Sequence, residues 1–129
     1  MRVLVDSSVW IDYFRAGRQA AELEALLDDN RIVTNDLILT ELIPPLQLQR
    51  QTRLINLLRE LERAPLQPDW DEIVRLQTTC LRHGINSVGI PDLLIAQHAM
   101  KNDLQLMARD RHFRHLARYA PLQLHSATD

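Results

Sequence analysis

A single cysteine, Cys80, leaves the chain unable to form an internal disulfide. No apolar run approaches the ~20 residues that a membrane span needs. The opening residues MRVLVDSSVW enter a strand-like run directly, without the basic region, long apolar region and small-residue cleavage site of a secretory leader. A soluble cytoplasmic protein with no membrane partner is expected. A basic surplus is missing too: the net charge of −2 gives no global footprint for nucleic acid. None of the five histidines forms a zinc-spaced pair with Cys80. Internal repeats and low-complexity stretches are also absent.

At 129 residues and 46% hydrophobic, the chain can bury one sizeable core, and residues 1–129 read as one domain. Strand and helix signals alternate along it. Residues 2–5 form a short β-branched and leucine run, read as a buried parallel strand, and Ser7 or Ser8 can cap a helix beginning near Val9. Gly17 ends or interrupts that helix, and Ala20, Leu23, Leu26 and Leu27 give the next its apolar face. Ile32 and Val33 make a second strand. Thr34, Asn35 or Asp36 then caps a helix that runs through Ile43 and stops at Pro44 and Pro45, because proline lacks the amide donor and disfavours helix before it.

A helix restarts after Pro45, with Leu54, Leu57, Leu58 and Leu61 on one stripe. Residues 64–67 read as a short edge strand limited by Pro65 and Pro68. Trp70, Ile73, Val74 and Leu81 mark a further amphipathic helix closed by Gly84, and Pro91 fits the first turn of a helix over residues 92–101. Residues 104–107 and 122–124 read as strands flanking a helix over 111–118. Such alternation predicts an α/β fold, a central mostly parallel sheet of about five short strands flanked by helices.

In open sheets of this kind, ligands bind at the carboxyl ends of the strands. Asp6 follows the first strand and Asp110 follows the strand over 104–107, so two acids far apart in sequence are expected to converge there. Asp92 lies in the first turn of its helix, where amide dipoles favour an anion, with the small Ala96 and Ala99 further along to allow close packing on the sheet. Glu41 projects from a helix interior. Four acids in one pocket would raise each other's pKa unless a cation were present. Oxygen-only ligands point to a hard ion, Mg²⁺ or Mn²⁺, over zinc.

Each acid also has an ordinary role open to it: Asp6, Asp92 and Asp110 as helix caps, Glu41 as the partner of an arginine. Residues 101–118 carry five Lys or Arg against two acids, with His112 and His115 between, which reads either as a phosphate-facing patch or as a solvated helix face. His112 and His115, at i and i+3, can share a metal or lie at the surface. Trp10 and Phe14 form a stacking platform for bases, or core, or part of a partner groove; the last two are favoured. Asp12 is expected to point away from the other acids, toward an arginine or a helix end.

The succession VLVDSSVWIDYF, TEL, IPDLLIAQHA and ARDRHF resembles the PIN domain, and within it the VapC-type toxins of toxin-antitoxin operons. The likeness spans nearly the whole chain and is most specific in its opening stretch. It implies a metal-dependent endoribonuclease in which Asp6, Glu41, Asp92 and Asp110 match the family's acidic quartet and Ser8 matches its small hydroxyl residue. Asp6 and Asp92 would hold the metal, while Glu41 and Asp110 orient the attacking water or a second ion, with products ending in 5′-phosphate and 3′-hydroxyl. Arg109, Arg111 and Arg114 are candidates to clamp flanking phosphates of the RNA.

The chain departs from the family pattern at Ala108, where Thr is usual, and at His112, where another Asp commonly follows. Both bear on a second metal position and on rate. The resemblance also implies a homodimer and a VapB-type antitoxin whose tail lies in an apolar groove and sets a basic side chain near the acids. The leucines of residues 46–61 line such a surface or serve the core. A receiver domain needs a lysine after a late strand, and the one lysine, Lys101, precedes that strand; a haloacid-dehalogenase-type phosphatase needs Asp at position 8, which is Ser8. The remaining alternative is a non-catalytic PIN-like module that binds RNA or protein.

Overall fold

A computed structural model describes residues 1–15, 20–126 and 128. Gly17, expected to end the first helix, lies outside them. The described residues form strands β1 (Val3–Val5), β2 (Ile32–Thr34), β3 (Glu62–Arg63) and β4 (Gln105–Met107), and helices α1 (Ser7–Phe14), α2 (Ala20–Asp28), α3 (Asp36–Leu48), α4 (Thr52–Glu60), α5 (Trp70–Arg82), α6 (Ile90–Lys101) and α7 (Arg111–Leu116). The strands make one parallel sheet in the order β3-β2-β1-β4. Every residue of β1 and β2 is buried, as a sheet covered on both faces demands.

The α/β reading holds, with four strands and one parallel bridge in place of about five strands. Residues 122–124 contribute only the bridge between Leu124 and Leu106, closed by Leu106 N to Gln123 O and His125 N to Leu106 O, each 2.8 Å. The edge strand falls at Glu62–Arg63, just before the expected 64–67. Ala64 still donates to Thr34 O at 3.0 Å, and Pro65, with no amide hydrogen, ends the ladder there. The cap of α1 is Asp6 in place of Ser7 or Ser8, and the cap of α3 is Asn35, whose Oδ1 accepts from Ile38 N at 2.9 Å.

Two expectations fail on packing. Helix α3 does not stop at Pro44 and Pro45 but runs through both to Leu48. Two missing amide donors cost about 3 kcal/mol each in a helix interior. Against that cost, Leu39, Leu42, Ile43 and Leu46 are all buried along the same helix on either side of the prolines, and a break would expose part of that line. Pro44 itself is exposed. Pro44→Ala restores a donor toward the Thr40 carbonyl and is expected to raise stability by about 1–2 kcal/mol in urea unfolding; a loss of stability would show that the turn depends on the proline.

In α5 the helix forms as expected and Gly84, at φ +71°, closes it in the left-handed region that suits glycine. Its buried line, however, is Ile73 and Cys80, with Leu76 half-buried. Trp70, Val74 and Leu81 are exposed. They lie about 100° round the helix from that line, and the α5–α6 packing takes one stripe and leaves the other to solvent.

Helix α6 is fixed to its surroundings at several points. Gln97 accepts from Asp69 N at 3.1 Å and donates to Asp69 O at 3.0 Å and Glu72 Oε1 at 2.6 Å. His98 Nδ1 lies 3.0 Å from Asn35 Nδ2, joining α6 to the end of β2. Ala96 and Ala99 are fully buried, and α6 packs on β4 as those small residues permit. Trp10 is wholly buried and belongs to the core, while Phe14 is half-buried against it.

Candidate functional site

The chain leaves β1 toward β2 on one side and reaches β4 on the other, so strand order reverses between β1 and β4. A crevice opens at the carboxyl end of such a pair. Asp6 sits on one lip, directly after β1, with its own amide donating to Met107 O at 2.9 Å. Asp110 sits on the other lip as the cap of α7, its Oδ1 accepting from His112 N at 3.0 Å. Asp92 enters from the first turn of α6, held by the Gly89 amide at 3.2 Å. Glu41 comes from α3, which packs on α1. The capping roles open to these acids are thus real, and they coincide with the acids' placement on one side of the sheet.

Burial and neighbouring carboxylates shift three of the four acids. Asp6 is 6% exposed, and burial first, then the charge of Asp92, pushes its carboxyl above the usual carboxylate range, although the Ser8 hydroxyl and amide pull it back. Glu41 is raised by desolvation and by the charges of Asp6 and Asp92, against a hydrogen bond from Ser7. Asp92 is raised by desolvation and by Asp110, against the Gly89 amide and His112.

Because Asp6 binds its proton more tightly folded than unfolded, it stabilises least above its folded pKa, and the penalty fades as pH falls toward its unfolded value. Buried His98 and half-buried His125, both pushed down by desolvation, work in the opposite sense, losing stability as pH falls through their unfolded value near 6.5. The difference between two variants cancels the histidines. The Tm of Asp6→Asn minus that of the unsubstituted chain, without divalent ions, is expected to be about 2–5 °C at pH 8 and to shrink toward zero as pH approaches 4. A difference that is flat with pH would remove Asp6 from the strained set.

The remaining polar contacts frame the crevice. Ser8 Oγ donates to Asp6 Oδ2 at 2.6 Å and accepts the Arg109 amide at 3.0 Å, so its hydroxyl ties the two lips together. Asp12 points to Arg109, with Oδ2 2.6 Å from Nη1. That contact occupies the Arg109 side chain, which was expected at a phosphate. Arg114 donates to Thr128 O at 2.9 Å, and Arg111 is exposed. His112 Nδ1 lies 2.9 Å from Asp110 Oδ1 and 3.8 Å from Asp92 Oδ2, while His115 lines a separate groove, so the two histidines do not share one position. Thr128 was not singled out from sequence. Its hydroxyl donates to Leu106 O at 2.9 Å and accepts the Ala108 amide at 3.4 Å, bringing a threonine oxygen to the turn where the family pattern has one at position 108.

Among the described residues, no three Asp, Glu, His or Cys side chains already stand close enough together to hold one ion. The donor chemistry nevertheless fits a hard divalent cation: carboxylate oxygens whose pKa is raised first by desolvation and then by the charge of neighbouring carboxylates. Beside the acids, a groove of about 400 Å³ runs between α1, α3 and α4, lined by Ile11, Phe14, Leu42, Leu46 and Leu54 with Glu41 at its edge. Leu46 is buried and lines the groove, Leu58 is core, and Leu48 is 88% exposed outside the groove, so the leucines of residues 46–61 divide among groove wall, core and surface.

No helix among the described residues is long and apolar enough to cross a membrane. No curated protein sequence matches the chain. Solved structures share its fold at low identity. The VapBC2 complex of Rickettsia felis, bound to a DNA fragment from its promoter, aligns with a TM-score of 0.75 at 22% identity over 97% of this chain and 98% of that one. VapBC-1 of nontypeable Haemophilus influenzae gives 0.74 at 23% over 100% of both chains. VapC20 of Mycobacterium tuberculosis, described as a toxin that cleaves the sarcin-ricin loop, gives 0.63 at 18% over 94% and 98%. The model of the PIN domain matches residues 3–119, and with the parallel sheet and the acids at its switch point the chain belongs to the PIN domain family.

Proposed function

We propose that this chain is a metal-dependent endoribonuclease, the toxin of a VapBC-type pair, that hydrolyses RNA phosphodiester bonds. The observation that carries the reading is Asp6, a buried carboxylate whose nearest charges include Asp92 and Glu41, an arrangement costly to fold unless a cation joins it. Asp6 and Asp92 would hold Mg²⁺ or Mn²⁺, with Glu41 and Asp110 completing the set. When bound, the ion neutralises the acids and withdraws charge from the phosphoryl oxygen.

The chain's own residues supply the rest. Ser8 fixes the Asp6 carboxylate, and the Gly89 amide fixes that of Asp92. Glu41, raised in pKa and on the solvent side, accepts the proton of the attacking water. The new P–O bond forms in line as the bond to the 3′-oxygen breaks; that oxygen takes a proton from solvent, leaving a 3′-hydroxyl and a 5′-phosphate. Arg111, exposed next to Asp110, faces a flanking phosphate.

The same reading assigns the apolar groove to the tail of a VapB-type antitoxin, with a basic side chain reaching Glu41, and includes a homodimer. A second reading, a non-catalytic module that binds RNA or protein, is favoured by one contact: His112 already sets a ring nitrogen against Asp110 and Asp92. Mapping RNA 5′-phosphate ends after brief induction of the chain, beside Asp92→Asn, separates them. New ends at defined positions with the unsubstituted chain alone support the nuclease; identical end profiles support the module.

A further inference from the structure

A second groove, of about 340 Å³, lies between the segment 83–87 and the end of α7 and is lined by His83, Asn86, Ser87, His115, Arg118 and Tyr119. We propose that it is a nucleotide subsite, which receives the single-stranded RNA next to the phosphate held at the acids; the assignment rests on the nuclease reading.

Its walls are continuous with two of the acids. Segment 83–87 runs on to Gly89 and Asp92, and Asp110 caps the start of α7, so an RNA strand crossing Asp92 and Asp110 has these walls beside it. His115 is five residues beyond Asp110, about 7.5 Å along a helix, on the scale of one nucleotide. The chemistry matches both parts of a nucleotide. Arg118 and His115 offer N–H donors to a phosphate. The rings of His83 and Tyr119 stack at 3.9 Å between centroids and 22° between planes, giving a flat aromatic surface on which a base can continue the stack. His83 Nδ1 lies 3.0 Å from Thr79 O at the C-terminus of α5, which fixes the ring. Asn86 and Ser87, both exposed, bring an amide and a hydroxyl for a base edge. Two arginines near Asp110 are engaged elsewhere, Arg109 with Asp12 and Arg114 with the Thr128 carbonyl, so the phosphate beyond the one at Arg111 falls to the far end of this segment, at Arg118.

The test is fluorescence anisotropy with a labelled mixed-sequence single-stranded RNA of about 12 nucleotides, on the full chain carrying Asp6→Asn so that it is not cut. Adding Arg118→Ala with His115→Ala is expected to raise Kd about 10-fold at low salt and to flatten the plot of log K against log salt by about 0.7. Tyr119→Ala is expected to raise Kd about 5–10-fold with the salt slope unchanged. All three positions are exposed, and circular dichroism checks the fold. Unchanged Kd and slope in both variants overturn the subsite. Cleavage by the chain with Asp6 intact, measured alongside, keeps the two claims apart: cleavage with normal RNA binding by the variants removes the subsite alone, whereas neither cleavage nor RNA binding by the parent removes both.

Discussion

Asp6→Asn is expected to lower the rate of RNA cleavage by about 10²–10³-fold or more while leaving the fold in place. The substitution keeps what Asp6 does for local structure. Asparagine caps a helix as well as aspartate, and its oxygen can accept from the Ser8 amide and hydroxyl as the carboxylate does now. What it removes is one negative charge from a set in which, beyond desolvation, Asp92 raises the pKa of Asp6 and both raise that of Glu41. Loss of activity therefore accompanies a stability that is unchanged or higher, the pattern of a site strained for function. Purified protein gives both numbers, from single-turnover cleavage and thermal unfolding. Cleavage that persists within a few-fold of the parent would exclude Asp6 from the reacting centre.

A charge in the first groove should have an effect of similar size on partner binding. Leu54→Asp places a carboxylate on an apolar wall next to Phe14, Leu42 and Leu46. Covering that carboxylate with an apolar peptide costs several kcal/mol, and capture of an antitoxin tail should weaken more than 100-fold. Leu48→Asp is the matched control, since Leu48 is exposed and outside the groove. Co-purification with a co-expressed VapB-type antitoxin of the proposed pair reads the result, and RNA cleavage by Leu54→Asp should persist. Equal capture by the two variants would move the partner to another face.

Much of this site can be read from the sequence because its acids are tied to elements whose signals are local. A run such as residues 3–5, buried on both faces, announces a parallel strand, and an acid directly after it must stand at the strand's carboxyl end. Asp6 and Asp110 are found that way, and Asp92 by the proline in the first turn of α6. Asp12 is legible for a similar reason: helical spacing turns it from Asp6, and the structure gives it Arg109.

What escapes the sequence depends on which of two surfaces meets the core. The apolar period locates α5 without revealing that Ile73 and Cys80 face inward while Trp70 and Val74 do not. Pro44 and Pro45 are strong local stop signals, yet burial of Leu42, Ile43 and Leu46 on one continuous helix overrides them. Thr128 gives no sequence signal, since its hydroxyl acts on backbone about 20 residues away, at Leu106 and Ala108. Arg109 is the instructive case among the charges: nearness to Asp110 in sequence suggests a phosphate contact, and an ion pair reachable only in three dimensions takes its side chain.

The central claim is that these four acids form the reacting centre of a ribonuclease that works with a divalent cation. Incubating the purified chain with total RNA in Mg²⁺ or Mn²⁺, beside EDTA-treated protein and Asp92→Asn, tests it most directly. The account predicts discrete products bearing 5′-phosphate ends, formed only with the ion and only with Asp92 intact. Cleavage that survives EDTA or Asp92→Asn, or no cleavage with either ion, would contradict it.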